Sequence, residues 1–117
     1  MVEKNPVYCL DKLVEYVGND QAVLHEMIAL FIGTSKEAVD QMNQCLDEAD
    51  YTAISKIAHK LKPNLDIFGI DELHEPIREL EHQSKNGGQL ADLRGLVQDI
   101  QFHLDKVIGQ MKLDFDQ

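Results

Sequence analysis

The sequence predicts an all-α protein: an antiparallel up-down four-helix bundle with a short extra helix at its N-terminal end. Apolar residues recur at spacings of three and four and never in the alternation of a half-buried strand. Turn-forming residues are few and fall between the periodic stretches: Pro6, Gly18-Asn19-Asp20, a weaker break from Asp47 to Asp50, Phe68-Gly69 and Asn86-Gly87-Gly88. Four long amphipathic helices on short connections pack most simply as a bundle. With 117 residues, 44% of them apolar, residues 1–117 suffice for one domain with its own core, and no disulfide or metal staple is required.

The first, short helix carries Leu10, Leu13, Val14 and Val17 and covers one end of the bundle. Asp20 then offers a side-chain acceptor as N-cap. Behind it Leu24, Met27, Ile28, Phe31, Ser35, Ala38, Met42, Cys45, Leu46 and Ala49 hold one face through Gly33. Asp50 caps the next helix, whose stripe is Ile54, Ile57, Ala58, Leu61, Leu65 and Phe68. Pro63 falls inside that stripe, where it removes an amide and crowds the carbonyl four residues earlier. Leu65 and Phe68 keep the phase beyond it, so a kinked helix is expected to run on to about Phe68. Asp71 is expected to cap a helix bearing Leu73, Ile77, Leu80 and Ser84, and Gly87-Gly88 turns the chain into the last helix, from Leu90 through Leu93, Val97, Ile100, Leu104 and Val107 to Met111. Alternating spacings of three and four in these last two helices form the seam of near-parallel packing.

Composition removes several classes of function. Twenty-one acids against 11 Lys and Arg leave a formal charge of -10, which repels nucleic acid. The longest apolar run, Met27 to Ile32, is far short of the roughly 20 residues of a membrane span. The start of the chain shows no signal segment, so a cytoplasmic setting is expected. Cys9 and Cys45 stand in no metal or redox spacing, and Cys45 reads as a small buried hydrophobe. His25, His74, His82 and His103 show no zinc-binding arrangement, and no Gly-rich loop frames a nucleotide, so neither a metal site nor an ATP site is expected.

The segment from Ser55 to Leu65 carries the chemistry. At ~100° per residue, His59 points ~140° away from Ile54 and so faces solvent. Lys56, Lys60 and Lys62 lie within three residues of it, in a window with no acid. Such a site is cationic on an anionic surface, as a phosphorylated imidazole would require.

Ala58-His59-Lys60-Leu61-Lys62, with Gly69 ten residues and Leu73 fourteen residues after the histidine, resembles the signature of histidine-containing phosphotransfer (HPt) domains. That family is itself a four-helix bundle of about this length, so the resemblance covers most of the chain. It implies that His59 accepts a phosphoryl group at Nε2 from an aspartyl phosphate on a response-regulator receiver domain and passes it on. It implies further that Lys62 holds the phosphoryl oxygens, that Lys60 is the commonly basic second position, and that Gly69 relieves crowding near the end of the acceptor helix. Receiver domains and a hybrid sensor histidine kinase are the implied partners of a monomeric protein. No cofactor is expected, since the Mg²⁺ of such transfers belongs to the receiver. The family has Gly where this chain has Pro63, which brings a bulky ring near the acceptor. Val23, Leu30 and Ile67, off their helices' apolar stripes, are candidates for an exposed docking patch, together with Leu10, Leu13 and Val17 of the short helix. The alternative function is a helical docking module that binds such partners and transfers nothing.

Overall fold

The computed structural model describes residues 7–117, so the break expected at Pro6 lies outside the described residues. Helix α1 spans Asp11–Val17, α2 Gln21–Asp47, α3 Tyr51–Ile67, α4 His74–Lys85 and α5 Leu90–Phe115, with a 3-10 turn at Asp71–Leu73 before α4. The described residues contain no strand. Helix α2 packs on α3, α3 on α4, α4 on α5, and α5 returns to α2, which closes a ring of four helices around a shared core. The 27 residues of α2 span ~40 Å at ~1.5 Å per residue, close to the 43 Å long dimension of the molecule. No helix among the described residues is long and apolar enough to cross a membrane.

The core follows the stripes. Ile28 and Met42 of α2, Ile54 of α3, Ile77 and Leu80 of α4, and Leu93, Val97 and Ile100 of α5 are completely buried. Leu73, in the 3-10 turn, plugs the same core. Phe31 and Phe68 stack with ring centroids 4.4 Å apart, tying the end of α3 to α2. Several stripe residues are less buried than the rest, with Met27, Ala38 and Ile57 only half-buried. Leu90 is the first residue of α5 and stays 42% exposed. Cys45 is half-buried, on the flank of the α2 stripe.

Helix boundaries are set by local hydrogen bonding. The Asp20 carboxylate accepts from the amides of Ala22 and Val23, and that of Asp50 accepts from Ala53. Each satisfies donors that the first helical turn leaves unpaired. Asp71 does not cap α4; it opens the 3-10 turn, and α4 starts three residues later with no side-chain cap. Proline at position 63 leaves α3 unbroken to Ile67, with Phe68 as the C-terminal cap. The acceptor left free by its missing amide is the carbonyl of His59, an exposed residue that water can reach.

Ala49, expected at the end of the α2 stripe, instead lies past its end at φ 56°. The Asp50 amide bonds back to the Cys45 carbonyl and that of Ala49 to Leu46, the paired bonds of a helix end that normally takes glycine. A left-handed conformation costs alanine about 1–2 kcal/mol, more than the ~0.4–1 kcal/mol by which glycine favours the unfolded chain. Ala49→Gly is therefore expected to raise the melting temperature. A lower one would contradict this reading of the turn.

Candidate functional site

His59 sits at the midpoint of α3 with its side chain 70% exposed. Its orientation comes from α4. The Nδ1 atom lies 2.8 Å from Glu81 Oε2, while the other oxygen of the same carboxylate lies 2.6 Å from Lys62 Nζ. The Lys62 ammonium bonded to it, and secondarily His59, hold the Glu81 carboxyl below the usual carboxylate range against the opposing effect of desolvation. Glu81 is thus ionised at neutral pH and can only accept. A neutral His59 must then carry its proton on Nδ1 and donate it to Glu81, which leaves the Nε2 lone pair directed outward. The arrangement makes a positioned nitrogen nucleophile with one solvent-facing reactive atom.

A hollow of about 370 Å³ opens beside the ring, lined by Ser55, Lys56, His59, Lys60, Glu81 and Lys85. Lys56 and Lys60, expected near the imidazole, are there. Lys62 is half-buried on Glu81 and does not line the hollow. Further along the α3–α4 seam, Arg78 donates to Asp66 at 2.9 Å and His74 stands 3.6 Å from the same carboxylate. Burial pushes the Asp66 carboxyl up, but Arg78 and His74 outweigh it and leave the group below its ordinary value. These two ionic clusters brace α3 against α4.

Gly69 does not approach His59: ten residues on, it is ~15 Å further along the axis. Its φ is 65°, and a Cβ there would stand 2.7 Å from Cys9 Cβ and 2.7 Å from the Cys9 carbonyl oxygen. The crowding it relieves is thus that of the N-terminal segment, whose Cys9 amide donates to the Phe68 carbonyl at 2.9 Å. Pro63 is exposed one turn beyond His59 on the same helix.

The proposed docking residues separate into two groups. Leu13, Val17, Leu30 and Ile67 line one apolar groove of about 360 Å³, joined by Tyr16 and Met27. Leu13 is only 5% exposed, because it anchors α1 to the core, and supplies the groove's floor rather than a free surface. Leu10 and Val23 lie outside the groove. Thr34 and Asn64 continue its wall into a neighbouring hollow of mixed polar and apolar lining, which in turn shares Lys56 and Lys60 with the hollow at His59. A continuous strip therefore links the apolar groove to the imidazole.

Glu81 and Lys85 escape a reading of the sequence. Glu81 sits ~40° from Ile77 on an ideal helix, so a carboxylate on the flank of a buried stripe was the available signal. The other histidines are engaged elsewhere: His25 with Gln117, His82 with Asn86, and His103 close to Glu72 and Asp99. Among the described residues no group of His, Cys, Asp and Glu could hold a metal ion.

Fold and site together define a helical bundle that presents one anchored, nucleophilic imidazole at its surface. A model of the Hpt domain matches residues 26–113, well over half of the chain, and the chain belongs to that family. The family's work is histidine phosphotransfer in two-component signalling. Comparisons with curated proteins and with solved structures give no match.

Proposed function

We propose that this protein is a phosphorelay intermediate that carries a phosphoryl group on His59 between receiver domains. The observation that carries the reading is the bond from His59 Nδ1 to Glu81, which leaves Nε2 as the free nucleophile. In the forward step the Nε2 lone pair attacks phosphorus of the receiver's aspartyl phosphate. The P–N bond forms, the P–O bond breaks, and the aspartate carboxylate leaves with the electron pair. The imidazole becomes a cationic phosphoimidazole that keeps its Nδ1 proton on Glu81, so the ring charge is offset without a proton moving. Delivery to a second receiver is the reverse.

Most of the catalytic demand then falls on positioning and on neutralising charge. The bundle supplies both, through the braced α3–α4 seam and the lysines beside the ring. Mg²⁺ is assigned to the receiver partner. Docking is assigned to the strip from the groove of Val17, Leu30 and Ile67 to His59, which would place an apolar contact about two helical turns from the reacting atoms.

The test is intact-mass measurement after mixing the protein with an acetyl-phosphate-charged receiver domain and Mg²⁺. Gain of one acid-labile phosphoryl group is expected. Binding without any gain, across several charged receivers, would replace the relay by a docking module and point to Pro63.

A further inference from the structure

Three lysines face the hollow beside His59: Lys56 and Lys60 from α3 and Lys85 from the last turn of α4. All three are exposed, and none has an ion-pair partner among the described residues. On a chain of formal charge -10, three unpaired cations around one cavity are a local reversal of sign. Lys85 stands four residues after Glu81, where it would ordinarily pair with that carboxylate along the helix. Both Glu81 oxygens are instead taken by α3, one by His59 and the other by Lys62. The same carboxylate therefore occupies Lys62 and leaves Lys85 free.

We infer that Lys85 is the cation that crosses from α4 to bind the phosphoryl group once it stands on His59 Nε2, completing a three-lysine cradle with Lys56 and Lys60. The inference rests on His59 as acceptor and names a phosphoryl-binding residue that the family resemblance does not supply. Its physical content is a division of labour. Lys62 and Glu81 set the ring, on its Nδ1 side. Lys56, Lys60 and Lys85 line the hollow outside it, whose volume of about 370 Å³ admits a tetrahedral phosphoryl group and several waters at ~30 Å³ each.

Nearby cations favour the dianionic phosphoryl group over the monoanion, so they lower its second ionisation, which lies near about pH 6 when unperturbed. The charged groups facing it are Lys56, Lys60 and the imidazolium from α3, and Glu81 and Lys85 from α4. The experiment phosphorylates the full chain with potassium phosphoramidate at low salt and follows the phosphohistidine ³¹P shift against pH. Lys85→Ala is expected to raise the titration midpoint by about half a unit, the size of one unit charge acting through water at contact range. Lys85→Arg, which restores the charge, should return it to the wild-type value. Lys106→Ala removes the same charge from α5, which does not border the hollow, and should leave the midpoint in place. A Lys85→Ala shift no larger than that of Lys106→Ala would overturn the inference, with His59 still the acceptor. Absence of phosphohistidine at position 59 in the wild-type chain would instead overturn the acceptor assignment and the cradle with it.

Discussion

His59→Gln is expected to abolish phosphoryl acceptance completely while leaving the melting temperature unchanged. The two halves of that result have separate causes. Gln has no nucleophilic nitrogen, because its amide lone pair is delocalised, so no P–N bond can form at position 59. Folding is insulated because the imidazole is 70% exposed and contributes no core packing. Its one polar partner, Glu81, keeps the Lys62 ammonium at 2.6 Å after the change and is not left as an unpaired carboxylate. Surface substitutions of this kind stay within about ±0.5 kcal/mol. Intact mass against a charged receiver and a thermal melt measure both halves. A variant that still gains an acid-labile phosphoryl group would move the acceptor to another histidine. The structure argues against each of them: His74 is drawn to Asp66, His82 and His25 lie beside amide side chains, and His103 is only 22% exposed between two carboxylates. A large drop in stability would instead mean that the Glu81 contact does more for the α3–α4 seam than the exposure of His59 allows.

What the sequence made legible was whatever depends on periodicity within one helix. The stripes through Ile54 and Leu61, and through Leu93 and Leu104, and the outward phase of His59 follow from the turn per residue alone. So do the caps at Asp20 and Asp50, where the partner amide is two or three residues away. Asp71 looked the same but opens a 3-10 turn, because Leu73 is drawn into the core and leaves the aspartate out of reach of the helix's first amides. Glu81 was out of reach for a different reason. Its role depends on α4 lying against α3 in one rotational setting, and 22 residues separate it from His59. Lys62 illustrates the consequence. Sequence places it one turn from the imidazole, and only the cross-helix carboxylate decides which side of the ring its ammonium serves.

Gly69→Val should be the most destabilising single change at the end of the acceptor helix, at about 2–4 kcal/mol, with Gly69→Ala next. Two penalties combine. The left-handed φ of 65° costs an L-residue about 1–2 kcal/mol, and more for a β-branched one. The added Cβ would also stand 2.7 Å from both Cys9 Cβ and Cys9 O, and 2.9 Å from Cys9 N. Those atoms cannot swing away as a long side chain would, because the Cys9 amide is bonded to the Phe68 carbonyl. Relief comes only by unwinding the Ile70-to-Leu65 turn at the end of α3 or by lifting the segment before α1. The second route is the more open, since α1 meets the bundle mainly through α2 while α3 is packed on both sides. The expected signature is therefore a lowered melting temperature together with loss of hydrogen-exchange protection at the Cys9 amide. Tyr16 and Val17 form one wall of the apolar groove and Leu13 its floor, so lifting α1 should also weaken receiver binding while His59 stays competent toward phosphoramidate. Full protection at Cys9 with unchanged stability would show that the turn tolerates a side chain, and that glycine is required there for neither geometry nor space.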